Sequence, residues 1–346
     1  MKPTLQLGLN IGYWGSGPPA GAPAAVAEAE RLGFDSIWTA ESYGSDALTP
    51  LAWWGAATSR VRLGTNLAQL SARTPTALAM AAMTLDHLSG GRFVLGLGVS
   101  GPQVVEGWYG QPFPKPLART REYVEILRAV WAREAPVTSD GPHYPLPHPG
   151  GTGLGKALKP IVHPLRADIP IFLGAEGPKN VALAAEIADG WFPIFYSPSH
   201  DALYRDALAA GFERPTARRT PDTFEVLPTV PVVIHDDVEA AADQLRPGIA
   251  LYVGGMGAKE ANFHFDVFVR MGWEAEAHRI QDLYLSGDKG AAVAAVPTKM
   301  VEEIALIGPV AKLRDDLEQW RGSMATSILL GTTDIDVLRT MAELVL

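Results

Sequence analysis

The 346-residue sequence contains no cysteine. That absence excludes disulfides, thiolate catalysis, iron–sulfur ligation and Cys-type zinc sites, and it is compatible with a reducing cytosol. Long hydrophobic runs are missing too. The apolar stretches are short and interrupted by Gly, Pro or charge, so no membrane span is expected. The first of them, Leu5–Ile11, carries Gln6 and Asn10 and follows Met1-Lys2-Pro3-Thr4 at once, so it reads as a first strand and not as a signal-peptide core. Charged residues are only 19% of the chain, with no block of one sign, while 47% are hydrophobic, which argues against extended disorder. A formal net charge of −9 speaks against non-specific nucleic-acid binding, which needs a basic face. The eight histidines form no H-E-x-x-H motif. His143 and His148 share a Pro-rich loop without nearby carboxylates, so no metal site is expected. His87, on a helix, reads as structural.

What is present is a repeated unit: a short β-rich run, a Gly-rich or polar turn, then an Ala/Leu-rich amphipathic stretch. Leu5–Ile11 leads to a helix near Ala24–Leu32, Phe34–Trp38 to Leu48–Thr58, Val61–Leu67 to Thr76–Leu88, and Phe93–Val99 to Arg119–Arg133. In the last helix Tyr123, Ile126, Leu127, Val130 and Trp131 follow the i, i+3, i+4, i+7, i+8 rule. Ile169–Leu173 then precedes Asn180–Ala188, Trp191–Phe195 precedes Asp201–Ala210, Phe224–Ile234 precedes a helix starting near Asp236–Asp237, and Ser327–Leu330 precedes Ile335–Leu344. Alternating strands and helices predict parallel βαβ units. Eight of them in about 250 core residues fit a closed (β/α)8 barrel better than an open doubly wound sheet. No linker divides the chain, so residues 1–346 are expected to form one domain with insertions near 136–166 and 245–297. Trp53 and Trp54 are adjacent, so at most one of them faces the barrel.

Two glycine patterns are decoys. Gly96-Leu97-Gly98-Val99-Ser100-Gly101 spells G-x-G-x-x-G after a strand, but that strand is the fourth, and the acids about 20 residues on lie on a helix, so a dinucleotide fingerprint is not supported. Glycines there suit close approach of backbone to a ligand. Gly150 through Gly155-Lys156 imitates a phosphate loop, yet position 157 is Ala and no strand precedes it.

Barrel enzymes place their chemistry where strands end. Those ends read Asn10-Ile11-Gly12-Tyr13-Trp14, Thr39-Ala40-Glu41-Ser42-Tyr43, Asn66-Leu67-Ala68-Gln69 with Arg73 beyond, Gly98-Val99-Ser100-Gly101, Gly174-Ala175-Glu176-Gly177-Pro178 and Pro193-Ile194-Phe195-Tyr196. This rim is rich in amides, glycine and aromatics and poor in carboxylates, which suits a flat, hydrogen-bonding ring. Pro178 can open a helix whose free N–H groups, dipole and Lys179 would receive an anion; an ordinary βα turn is the alternative. From Gly141 to Ala167 there is no acid, but Lys156, Lys159, Arg166 and three histidines occur. That basic insertion reads as attraction for an anionic ligand, or as a solvated loop.

At these residues the chain resembles the luciferase-like monooxygenase superfamily, and within it the deazaflavin-dependent (coenzyme F-420) oxidoreductases, methylene-tetrahydromethanopterin-reductase-like branch. The resemblance spans nearly the whole chain. It rests on Gly8-Leu9-Asn10-Ile11-Gly12-Tyr13-Trp14, Leu63-Gly64-Thr65-Asn66-Leu67 with Arg73-Thr74-Pro75, Leu88-Ser89-Gly90-Gly91-Arg92-Phe93-Val94-Leu95-Gly96-Leu97-Gly98, Gly174–Lys179 and Ala188-Asp189-Gly190-Trp191. It implies a luciferase-like (β/α)8 barrel with an insertion before the last strand, a homodimer, and coenzyme F-420 (8-hydroxy-5-deazaflavin), with FMN as the alternative. It further implies a non-proline cis peptide at Asn66–Leu67 that backs one ring face, and a cofactor phosphate at Gly177–Pro178. Cofactor contacts are thus expected from Asn10, Gly12, Asn66, Leu67, Ala68, Gly98, Val99, Gly174, Ala175, Glu176, Gly177, Pro178, Lys179, Ile194 and Phe195. The sugar-phosphate dehydrogenases of the family carry Asp-His after the second strand and Glu after the fourth; here those places hold Glu41-Ser42 and Gly101, which puts a sugar-phosphate substrate in doubt.

The implied activity is hydride transfer between the deazaflavin ring and a small organic substrate by a soluble, cytoplasmic enzyme. Glu41 is the first candidate for meeting the ring or managing a proton, with Tyr43 and Ser100 behind it; a salt bridge at the rim is the structural alternative for Glu41. Three rivals stand beside this reading: an FMN-dependent monooxygenase fed by a partner reductase, a barrel hydrolase using Glu41 and Asp46, and a non-catalytic cofactor carrier.

Overall fold

The computed structural model describes residues 4–257 and 262–346; Met1–Pro3, ahead of the expected first strand, and residues 258–261, inside the second expected insertion, lie outside the described residues. Strand β1 (Gln6–Gly12) pairs in parallel with β2 (Ser36–Thr39) on one side and with the last strand of the chain, Ser327–Leu330, on the other. From β2 the parallel order runs through β3 (Arg62–Thr65), with its short continuation β4 (Ala68–Gln69), to β5 (Phe93–Gly98), β6 (Ile171–Gly174), β7 (Gly190–Phe192) and β8 (Glu225–Val226). Two residues further on, β9 (Thr229–Val230) pairs with Ser327–Leu330. The two ends of the sheet are therefore halves of one stave, and the sheet closes on itself: Thr326 N–H donates to Val226 O and Leu329 N–H to Pro228 O, both at 2.9 Å.

The single strand expected over Phe224–Ile234 is broken into β8, β9 and β10 (Val232–Ile234), the last of which pairs with an unanticipated β11 (Leu306–Gly308). Pro228 and Pro231 have no N–H to continue a ladder, so the stave changes partner at each of them. The final strand, β12, matches its expected bounds of Ser327–Leu330.

All six residues of β5 are buried, as a parallel strand covered on both faces requires. The barrel interior is filled: Trp38, Val94, Phe172, Phe192, Leu227 and Leu329 form one cluster, with the Trp38 and Phe192 rings edge to face at 5.0 Å. Outside lie the barrel helices. Pro116–Ala132 buries Tyr123, Ile126, Leu127, Val130 and Trp131, the stripe predicted from periodicity. In Thr49–Gly55, Trp54 is buried and Trp53 is exposed. The expected strand Trp191–Phe195 stops at Phe192.

The first insertion carries a single antiparallel bridge, Ser139 to Leu146, and no helix or strand. The second begins earlier than expected. Asp237 caps helix Val238–Gly255, its Oδ1 accepting Glu239 N–H at 2.9 Å, so the expected boundary at 245 cuts through a helix. Helices Phe263–Arg270, Glu274–Leu285, Lys289–Ala294 and Thr298–Glu302 follow and share a core of their own around Ile249, Val253, Phe268 and Ile280. This helical body precedes the last stave. At the amino-terminal face Arg62 is paired with Asp35 and, at 2.7 Å, with Glu225, tying three staves together. Among the described residues no helix is long and apolar enough to cross a membrane.

Candidate active site

The carboxyl ends of the staves bring Asn10, Glu41, Asn66, Gly98 and Gly174 to one mouth. Its floor is the backbone after β3. The Asn66–Leu67 peptide is cis. The Leu67 side chain runs down between β5 and β6, where a Cβ on Gly98 or Gly174 would overlap its Cδ1, and packs on the interior cluster of Trp38 and Phe172. Small residues on two neighbouring staves thus make room for one leucine, which leaves main chain facing the opening. Above it, Thr229 Oγ1 accepts from Asn10 Nδ2 at 2.9 Å and from Asn66 Nδ2 at 3.3 Å, and Gly12 N–H donates to Asn10 Oδ1 at 3.0 Å. The two amides have fixed orientations in consequence.

Three non-glycine residues just beyond staves adopt the left-handed region: Ser42 (φ 49°), Ser100 (φ 58°) and Phe195 (φ 51°). Such backbone is uncommon outside glycine and concentrates at ligand sites.

Glu41 is buried beside Arg73. Its Oε1 lies 2.6 Å from Arg73 Nη1, and its Oε2 accepts Gln69 N–H at 2.9 Å. Asp46 binds the same guanidinium and also accepts the N–H groups of Leu48 and Thr49. Both carboxylates are therefore engaged by one cation. Next to them Tyr109 donates to Ser42 O at 3.2 Å. Burial, with the Glu41 charge adding to it, pushes the Tyr109 hydroxyl above its ordinary range, so it stays protonated. Glu41, Arg73, Asp46 and Tyr109 line a cavity of about 250 Å³, with Tyr43 largely exposed at its edge.

On the other side, the turn after β6 opens helix Pro178–Ile187 with Pro at its start and Gly177 as an N-cap that offers no side chain. A Cβ on Gly177 or Gly12 would meet nothing within 4 Å, so both glycines border open space. Lys179 is exposed and Ala175 O accepts Trp191 Nε1–H at 2.8 Å. The second insertion reaches this turn: His264 Nδ1 lies 2.9 Å from Glu176 Oε1, and Arg270 donates to Glu176 O at 3.0 Å. Phe195 turns toward the same insertion, packing on Tyr252 at 5.4 Å and Phe268 at 5.0 Å, while Ile194 is half-buried beside it. The Tyr252 hydroxyl is pushed up by burial and by Tyr13. Of the proposed cofactor residues, Glu176 and Phe195 thus carry the insertion, and Ala68 is buried in β4 pairing with Leu97.

The basic loop departs from expectation. Arg166 is bound to Asp86 and to Phe93 O, Lys159 donates to Glu134 O at 3.0 Å, and His163 O contacts His87 Nε2 at 2.8 Å. Those partners sit where helices end and strands begin, at the face opposite the mouth, so these residues do not attract a ligand to the rim. Of the loop histidines, His143 lines a cavity beside it. Thr229, Tyr109 and His264 were not singled out by the sequence. The Pro228-Thr229-Val230-Pro231 spacing was the available signal for the first; for the others no local pattern points to the rim. No cluster of metal-ligating side chains occurs among the described residues.

The family model described as luciferase-like monooxygenase matches residues 9–327. A Mycobacterium tuberculosis protein named provisionally as a coenzyme F420-dependent oxidoreductase is 58% identical over 347 residues, covering all of both chains. The 5,10-methylenetetrahydromethanopterin reductase of Archaeoglobus fulgidus is 27% identical over 88% of this chain and 87% of its own. Among solved structures, the coenzyme F420-dependent tetrahydromethanopterin reductase of Methanopyrus kandleri superposes with a TM-score of 0.81 at 22% identity, over 99% of this chain and 98% of the other.

Proposed function

The chain belongs to the luciferase-like monooxygenase family, and from that premise we propose that it is a single-domain coenzyme F-420-dependent oxidoreductase acting on a small organic substrate. The observation that carries this reading is the floor of the mouth: bare backbone at Asn66–Ala68, flanked by two amides that Thr229 holds in place. That surface fits one face of a planar heterocycle and the polar edge of its ring. The full-length relative with a deazaflavin name supports F-420 over FMN.

Bound there, the deazaflavin supplies or accepts the hydride. Asn10 and Asn66 orient the ring edge, and the Asn66–Leu67 main chain covers one face and leaves the other to the substrate. Gly177 and the start of Pro178–Ile187 receive the phosphate of the tail, where a helix N-terminus favours an anion. Glu41, with both oxygens engaged by Arg73 and Gln69, acts as a fixed negative charge. Tyr109, protonated and lining the same cavity, exchanges the proton that balances hydride transfer at a substrate oxygen. Tyr43 and Ser100 border the substrate space.

The test is a fluorescence-quenching titration of the purified protein with F-420 and with FMN. Binding of F-420 at least about tenfold tighter than FMN supports the reading; tighter binding of FMN replaces it with the monooxygenase. Binding of F-420 without hydride exchange across a panel of alcohols, ketones and enones would leave a carrier.

A further inference from the structure

A second cavity, of about 300 Å³, shares Ala72 and Arg73 with the Glu41 cavity but is not lined by Glu41. Its polar lining is Ser71, Arg73, Thr74, Arg119, Gln111 and the pair His143–Tyr144, and no carboxylate is among its walls. Arg73 is already matched by Glu41 and Asp46. Arg119 has no such ion pair among the described residues: its Nη1 is buried without a hydrogen-bond partner, as are Ser71 Oγ and, despite the ion pair to Glu41, Arg73 Nη1. The Arg119 guanidinium rests over the Tyr144 ring, 5.4 Å from the centroid, in place of a counter-charge. Leaving a charged donor unmatched is costly, so such a group marks where an acceptor belongs.

The cavity is built. Glu122 accepts the backbone N–H of His143 at 3.1 Å and that of Tyr144, which pins the first insertion over the opening. Tyr144 stands edge-on to Tyr123 at 5.2 Å, and Tyr123 donates to Arg73 O at 2.9 Å. Two long helices begin at its wall, Pro75–Ser89 behind its cap Thr74 and Pro116–Ala132 at Pro116, so two positive helix ends add to the arginines.

We propose that this cavity is a binding site for an anionic group, a carboxylate or a phosphate, held by Arg119 and Ser71. It lies one arginine side chain away from Glu41, so the anion belongs to a molecule that also occupies the mouth: the substrate, or the tail of the cofactor. Only the choice between those carriers rests on the function proposed above.

The experiment compares wild type, Arg119→Gln, Arg119→Lys and Ser71→Ala, each checked for folding by circular dichroism. Inorganic phosphate and glutarate are titrated calorimetrically, and F-420 and its tail-less ring analogue by fluorescence. Arg119→Gln is expected to weaken at least one anion about tenfold or more, with partial rescue by Arg119→Lys and a smaller loss in Ser71→Ala. A loss for F-420 but not for the tail-less ring assigns the anion to the cofactor. A loss confined to phosphate or glutarate assigns it to the substrate. If all four ligands bind Arg119→Gln and Ser71→Ala within about twofold of wild type, the proposal is overturned. Should F-420 fail to bind wild type while phosphate binds through Arg119, the cofactor assignment falls and the anion site stands.

Discussion

Glu41 and Arg73 form a pair in which the carboxylate is almost wholly out of water, its side chain 5% exposed and 2.6 Å from a guanidinium that is itself 22% exposed. Removing the cation strands a buried charge, which is worse than removing both partners. Arg73→Met is therefore expected to cost about 3 kcal/mol in urea denaturation at neutral pH, and Glu41→Gln/Arg73→Met distinctly less than that. Equal losses in single and double variant, within about 0.5 kcal/mol, would mean the pair is solvated and Glu41 is not held as described.

Thr229 is the hinge of the amide pair, because one hydroxyl oxygen accepts from both Asn10 and Asn66. Thr229→Val keeps the shape and removes that acceptor. Stability should fall by no more than about 1 kcal/mol, while F-420 affinity falls about 5- to 10-fold as the amides lose their orientation. Thr229→Ser should bind within about twofold of wild type. An unchanged affinity in the valine variant would separate the amides from the cofactor.

The staves up to Gly174 could be read from the sequence because each is a short β-rich run that ends in Gly or polar turn residues ahead of a helix, and the stripe on Pro116–Ala132 repeats at helical spacing. The closing stave could not, because Pro228 and Pro231 hand its hydrogen bonds to three different partners. The floor at Asn66–Leu67 was accessible only through the family resemblance. Thr229 entered the mouth by the very break that periodicity missed. The charge count of the first insertion misled for a geometric reason: a run of basic residues does not say which end of a barrel it faces, and Lys159 and Arg166 are consumed at the far one.

Gly96, inside β5, and Gly177, at the start of Pro178–Ile187, differ in what surrounds them. A Cβ on Gly96 would overlap the carbonyl oxygen of Thr65, whose hydroxyl also donates to Gly96 O at 2.7 Å, so β3 and β5 would have to part. Gly96→Ala is expected to destabilise by about 2–4 kcal/mol. At Gly177 the same methyl meets nothing within 4 Å, so Gly177→Ala should cost no more than about 1 kcal/mol, which is what alanine loses as a helix N-cap. It projects into the space assigned to the cofactor phosphate, however, and F-420 affinity should fall although the fold does not. Thermal unfolding and cofactor titration of the two variants separate these outcomes; a Gly177→Ala protein that binds F-420 normally would move the phosphate elsewhere.

Glu30 closes the turn ahead of β3, accepting the N–H groups of Ser59 at 2.9 Å, Arg60 at 3.0 Å and Val61 at 3.0 Å, and the Ser59 hydroxyl at 2.9 Å. Burial alone would raise its pKa, but the donors from Val61, Ser59 and Arg60 outweigh it and pull the carboxyl from 4.5 to about 2. A folded pKa below the unfolded one means that the native state binds fewer protons. The stabilisation is then complete above pH 4.5 and is lost as the pH falls through about 2. Glu30→Gln should lower stability at pH 7 by about 1–2 kcal/mol, the charged acceptor being partly screened by solvent. The gap between variant and wild type should narrow steadily as denaturation curves are repeated from pH 5 down to pH 2.5 or so. A gap that stays constant over that range would show that the turn is held by hydrogen-bond geometry alone and not by the carboxylate charge.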